Sequence, residues 1–109
     1  MTAEEIRAVA LALPAAVELP HFEKTSFRVA GKIFATLTPD GARLMVKLPE
    51  EIKSALKQSD PDAILPLPGA WDRGGSTLIE VAAMDPAKLA DLIRLAWRTV
   101  APAKLQGRG

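Results

Sequence analysis

Four basic residues recur in one stretch of the chain that is rich in strand-forming residues: Arg28, Lys32, Arg43 and Lys47. Alternate residues of a strand share a face and lie about 7 Å apart, so on neighbouring strands these side chains could together meet phosphates. Each phosphate neutralised would release counterions, which makes such binding fall with salt. The alternative interpretation is an ordinary solvated sheet face, whose charges keep the protein soluble and protect the sheet from aggregation.

Two further candidates for partner contact, Trp71 and Arg73, lie in a loop bounded by glycine and proline. An exposed tryptophan in such a loop often marks a binding surface, whereas a buried one would close the end of a small core. Phe34 offers a similar choice. If its side chain points outward among the basic residues, it could stack on a base of a single-stranded nucleic acid. If the side chain points inward, Phe34 belongs to the hydrophobic core.

Residues that form reaction centres are scarce. The chain has no cysteine, and its single histidine, His21, argues against a His-based metal site or a catalytic triad. The acidic pairs Glu4-Glu5 and Glu50-Glu51 are adjacent on helix starts and point in different directions, so neither converges on a substrate. No glycine-rich loop has nucleotide-binding spacing. The sequence therefore predicts no enzyme, no metal site and no cofactor.

Length and composition limit the number of domains and the kinds of partner that the protein can have. A chain of 109 residues with 49% hydrophobic residues can bury one modest core. We expect a single domain over residues 1–102, followed by a flexible tail over 103–109. The 14 Lys plus Arg nearly cancel the 13 Asp plus Glu, leaving a net charge of +1. Any nucleic-acid binding would therefore depend on local charge placement.

The N-terminal segment has acidic residues where a signal peptide needs basic ones, and no apolar run approaches bilayer length. The sequence therefore predicts a soluble cytoplasmic protein with no membrane partner.

The elements that would position these side chains can be read from turn and capping signals. Thr2 and Glu5 have the spacing of a capping box, and Pro14 ends the helix that follows. Strands are predicted over residues 15–20 at an edge, and then over 26–29, 32–38 and 43–48. Turns at Ala30-Gly31 and Pro39-Asp40-Gly41 connect the last three. Strict alternation would place these residues on the outer face: Arg28, Lys32, Phe34, Thr36, Arg43, Met45 and Lys47.

The second half of the chain adds two helices and one strand. Pro49 begins a helix with Ile52, Ala55 and Leu56 as its apolar stripe and with Lys53 and Lys57 exposed. A loop follows, with a strand fragment around Ile64 and Leu65, and then a last strand over residues 77–82. Asp85 caps a final helix whose buried stripe includes Trp97. This order predicts an α+β fold, an antiparallel sheet with helices on one face.

The segments HFEKTSFRVAGKIFATL, VKLPEE, PGAWDRGG and LAWRTVAP, in this order and spacing, resemble the MmcQ/YjbR family of small bacterial proteins. The resemblance covers nearly the whole chain. It implies a fold similar to the frataxin-like (CyaY-like) α+β proteins and a double-stranded DNA partner, since members are commonly described as DNA-binding. One departure is Ser76, because an aromatic residue follows the corresponding glycines in close family members.

The sequence therefore indicates two alternative functions. The first is a monomeric or dimeric domain that binds DNA by phosphate contact through Arg28, Lys32, Arg43 and Lys47, with Trp71 and Arg73 contributing from the loop. The second is a protein-interaction or small-ligand module with an apolar patch formed by Trp71, Phe34 and Met45.

Overall fold

One antiparallel sheet organises the molecule. The computed structural model describes residues 1–69 and 75–106. Its elements, in chain order, are α1 Ala3–Leu11, β1 Val17–His21, β2 Lys24–Val29, β3 Lys32–Leu37, β4 Arg43–Lys47, α2 Glu50–Ser59, β5 Ile64–Leu65, β6 Ser76–Glu80, a single turn of 3-10 helix Val81–Ala83, α3 Pro86–Val100 and α4 Ala103–Gln106. The six strands lie in the order β1-β2-β3-β4-β6-β5. The predicted α+β class and element order are confirmed.

The helices begin where the sequence predicts. The Glu5 amide donates to Thr2 Oγ1 at 3.1 Å and the Thr2 amide donates to Glu5 Oε1 at 2.8 Å, so the capping box is confirmed. At the start of α3, the Lys88 amide donates to the Asp85 carboxylate at 3.0 Å. Near the other end of α3, Trp97 is buried, and its indole N–H donates to the carbonyl of Pro14 at 2.9 Å. That bond joins the end of α3 to the segment that follows α1.

Both predicted hairpin turns are present. Ala30 and Gly31 have φ of 51° and 80°, the pair of left-handed residues that a two-residue type I′ turn requires. In the next turn, Asp40 Oδ1 accepts hydrogen bonds from the Ala42 amide and the Thr38 hydroxyl, which lowers the pKa of the Asp40 carboxyl. Short-range bonds of this kind depend only on nearby residues, which is why the turns were readable from sequence.

A β-bulge breaks the predicted alternation on β3. Phe27 lies opposite Ala35 and Arg28 lies opposite Ile33, so Phe34 is the extra residue with no partner on β2. The side chain of Phe34 is 0% exposed and belongs to the hydrophobic core. Strict alternation therefore places Phe34 on the wrong face, and the alternative placement in the core is confirmed. The extra residue reverses the alternation, so that Ile33 shares the face of Arg28.

The same bulge changes the position of Lys32. The register pairs it with Val29, whose side chain is buried in the core. Lys32 is thus an exposed residue at the turn end of β3, and it does not continue the row of Thr36. Its predicted place on the outer face does not follow from the observed register, because the prediction assumed an unbroken period of two.

A second correction concerns α2. Lys53 is only 2% exposed, together with buried Leu56, whereas Ala55 is exposed. Two members of the predicted stripe, Ile52 and Leu56, do pack against or within the core, whereas Ala55 does not, and Lys53 is not a surface residue. The tail begins with the single-turn helix α4, in which the Gln106 side chain donates to the Ala101 carbonyl at 2.7 Å. None of the helices in the described part of the chain is long and apolar enough to cross a membrane.

Candidate functional site

The face of the sheet opposite the core is called the outer face here, and the strand register defines it. Residues that pair directly across strands point to the same side. One row crosses all six strands in register: Leu19, Ser26, Thr36, Met45, Leu78 and Leu65. The neighbouring row on the other side of the sheet is the core row, which contains Phe27, Ala35 and Val46.

The outer face carries most of its charge as cations. Its cationic strand residues are Lys24, Arg28, Arg43 and Lys47, and among the described strand residues of this face Glu80 is the sole carboxylate. The whole chain is nearly neutral. The outer face is therefore electropositive relative to the rest of the molecule.

Arg28 is held in place by its own sheet. Its Nε donates to Ser26 Oγ at 2.9 Å and its Nη2 contacts the Pro20 carbonyl at 3.4 Å. Ser26 is fully buried and donates in turn to the Leu19 carbonyl at 2.8 Å. A guanidinium has five N–H donors, so these bonds orient Arg28 and leave donors for a ligand.

Lys47 and Arg43 lie on the same strand but differ in their surroundings. Lys47 Nζ donates to Ser76 Oγ at 2.9 Å, which leaves two of its three N–H donors. Arg43 Nε lies 3.3 Å from Glu80 Oε2 in an ion pair that is partly exposed. Glu80 therefore offsets the charge of Arg43, whereas no carboxylate pairs with Lys47 or Arg28 among the described residues.

The structure thus brings Arg28, Arg43 and Lys47 together on the outer face and leaves Lys32 at its rim. Trp71 and Arg73 lie outside the described residues, and their predicted roles remain predictions. The predicted apolar patch loses one member, because Phe34 is buried in the core, while Met45 is half-buried on the outer face.

A cavity of about 480 Å³ lies over β3 on the outer face. Arg28, Lys32, Lys47 and His21 are among the residues around it, and Ile33 and Met45 supply apolar surface. Neither a carboxylate nor a thiol occurs among its described lining residues. The volume is within the range of small-molecule sites, which are about 300–1,000 Å³. The chemistry on offer is recognition of negative charge next to an apolar surface.

The hydroxyl of Thr36, which lines this cavity, has no hydrogen-bond partner among the residues that the structure describes. Thr36 is 6% exposed and lines both this cavity and an adjoining one of about 390 Å³ that reaches Leu67 and Pro68. Buried hydroxyls are usually satisfied, so this one is available to a ligand or to water.

Sequence reasoning missed Ser26, Ser76 and Ile33 as parts of this site. Ser26 and Ser76 are small residues in strands. Ser26 binds Arg28, two positions further along the same strand, whereas Ser76 binds Lys47, 29 positions away in the sequence. In the sequence Ser76 stands out only as a departure from the family pattern, although it binds Lys47 across the sheet. Strict alternation would place Ile33 on the core side, because the bulge on β3 has no clear sequence signal. No group of three or more metal-ligating side chains occurs among the described residues.

Known proteins share the sequence family and the fold of this chain. The sequence matches the protein-family model YjbR over residues 11–99. The structure is similar to the crystal structure of Deinococcus radiodurans protein DR2400, which carries domain DUF419. The TM-score is 0.82 at 22% sequence identity, over 94% of this chain and 80% of that chain. This likeness shows a shared fold. A comparison of the sequence with curated proteins gives no match.

Proposed function

The chain belongs to the YjbR family, and from that premise we propose that it is a cytoplasmic protein that binds double-stranded DNA by phosphate contact through the outer face. The role is binding rather than catalysis. It accords with the DNA partner that the family resemblance implies.

The observation that supports this proposal most is the uneven distribution of charge. Four cations and one carboxylate occupy the described strand positions of the outer face, in a chain whose formal net charge is only +1. A local excess of cations attracts a polyanion even when the protein as a whole is nearly neutral. Neutralising DNA phosphates releases condensed counterions, which is the main driving force of non-specific binding.

The individual cations contribute unequally. Arg28 and Lys47 are oriented by Ser26 and Ser76 and have unused donors, so they are the strongest phosphate contacts. Lys32, exposed at the hairpin turn, can reach a phosphate at the rim. Arg43 contributes less, because an approaching phosphate must compete with Glu80.

The proposal is tested with a labelled duplex in an anisotropy titration at low salt. The double variant Lys32→Gln/Lys47→Gln removes two positive charges from the cationic edge of the site. The matched control, Arg98→Gln/Lys104→Gln, removes two exposed charges from α3 and α4. Both variants have the same net charge, so a difference between them reports location and not overall charge.

We expect the first variant to bind at least about tenfold more weakly than wild type, and the control to bind nearly as wild type. Equal losses in the two variants would assign any binding to overall charge and would refute a role for the outer face. No measurable binding by wild type at low salt would refute the proposed function itself.

A further inference from the structure

We propose that the cavity on the outer face is a specific site for a small organic anion with an apolar body. The acidic group of this ligand lies between Arg28 and Lys47, and its apolar part covers Ile33 and Met45. This inference goes beyond DNA binding, because a duplex does not need an apolar recess beneath its phosphates.

Charge around the cavity selects an anion. Arg28 and Lys47 stand on β2 and β4, the two neighbours of β3, and each strand is about 5 Å from β3. Each cation is already oriented by a serine hydroxyl and retains unused N–H donors. The described lining has no carboxylate that would compete for them.

The apolar part of the cavity selects against a bare inorganic ion. The bulge on β3 places Ile33 on the same face as Arg28, where unbroken alternation would have put it in the core. Ile33 and Met45 are both half-buried and line the cavity. A hydrated phosphate would leave these side chains facing water, whereas an aromatic or aliphatic body would cover them.

Thr36 supplies a third point of recognition. The residue is 6% exposed, its hydroxyl has no hydrogen-bond partner within the described residues, and it lines the cavity beside Met45. Leaving such a group unsatisfied is unfavourable. A ligand with an oxygen acceptor near Thr36 removes that penalty on binding, so the site has one neutral polar contact in addition to its two cations.

The test uses two fluorescent probes of similar size and different charge, anionic anilinonaphthalene sulfonate and neutral phenylnaphthylamine. Each is titrated into the wild-type protein and into Lys47→Met, Thr36→Val and Ile33→Trp. Arg98→Met, on the exposed side of α3, is the control for loss of a positive charge. Thermal melts by circular dichroism establish that each variant is folded.

We expect one equivalent of the anionic probe to bind wild type. Lys47→Met should weaken it about fivefold, the ratio for one partly exposed ion pair, and Arg98→Met should not. Thr36→Val should weaken it to a smaller extent, and Ile33→Trp should weaken it most, because the larger indole occupies the surface that the apolar body of the ligand would cover. The neutral probe should bind wild type more weakly and respond to Ile33→Trp alone.

Three results would overturn the proposal: no saturable binding of the anionic probe, equal affinity of Lys47→Met and Arg98→Met for it, or unchanged binding by Ile33→Trp. If Ile33→Trp is unfolded, the comparison of the Lys47 and Arg98 variants decides, since both residues lie partly or fully at the surface.

The outcome is independent of DNA binding. The probe titrations contain no DNA, so failure of the duplex experiment leaves them unchanged. Conversely, Ile33→Trp blocks the cavity without removing a charge, and we expect it to keep the duplex affinity of wild type.

Discussion

Phe34 and Phe22 show how differently two phenylalanines of one sequence stretch can be used. Phe34 is 0% exposed in the core, and Phe22 is 89% exposed at the turn between β1 and β2. Phe22 packs edge-on against His21, with ring centroids 5.0 Å apart. Phe34 therefore cannot stack on a base at the cationic surface. Its buried ring stabilises the folded protein instead.

Phe34→Ala is expected to lower the free energy of unfolding by about 3–5 kcal/mol, because it removes a fully buried ring and leaves a cavity. Phe22→Ala is the matched control and should change it by less than about 0.5 kcal/mol. Urea unfolding of both variants measures the difference. A loss below about 1 kcal/mol for Phe34→Ala would contradict its burial.

At the scale of elements, one ion pair links the end of α2 to the start of α3. The ammonium group of Lys88, in the first turn of α3, lies against the carboxylate of Asp60, which follows the last turn of α2. Hydrogen bonding from Lys88, followed by that from Ser59, lowers the pKa of the Asp60 carboxyl. The two helices are thereby linked through side chains 28 positions apart.

The lowered pKa sets the sign of a pH effect. The carboxylate form of Asp60 is favoured in the folded protein, so its stabilisation is complete above the ordinary aspartate pKa and is lost as the pH falls through the lower folded value. Asp60→Asn should therefore be less stable than wild type at pH 7, and the difference should vanish in acid. Asp62→Asn, an exposed acid nearby, is the control.

Thermal midpoints measured from neutral pH down to about pH 2 test this expectation, because that range spans ordinary and lowered aspartate pKa values. A gap between Asp60→Asn and wild type that persists undiminished in acid would assign the loss to packing and not to the ion pair.

At the scale of the whole molecule, a formal net charge of +1 conceals an asymmetric charge distribution. The outer face has four strand cations to one carboxylate, and acidic residues occupy the first turns of α1 and α2. Association with a polyanion should therefore depend on orientation, with the outer face turned toward the partner. Four cations on and around that face, Lys24, Arg28, Lys32 and Lys47, have no carboxylate partner within the described residues.

The salt dependence of duplex binding follows from the number of cations on and around the outer face that have no carboxylate partner among the described residues. If four phosphates are neutralised, a plot of log association constant against log salt should have a slope of roughly −4, and Lys32→Gln/Lys47→Gln should reduce it to about −2. Anisotropy titrations between about 20 and 200 mM salt measure both slopes. A variant with the wild-type slope would show that Lys32 and Lys47 do not contact phosphate.

Much of the local structure was determined by the sequence alone. The Thr2–Glu5 capping box, the Asp85 cap and both hairpin turns are formed by residues within a few positions of one another. The periodic apolar pattern of α3 and the alternation on β4 likewise predicted which faces are buried. These features need no information about distant parts of the chain, so the α+β class and the element order could be predicted.

The site was decided only by tertiary structure. The bulge that buries Phe34 and exposes Ile33 depends on the pairing of β2 with β3. The residues that neutralise Arg43 and orient Lys47 are far away in sequence: Glu80 is 37 positions from Arg43, and Ser76 is 29 positions from Lys47. Charge and apolar surface can be counted along a chain, but a recess between strands exists only once the register has brought those strands together.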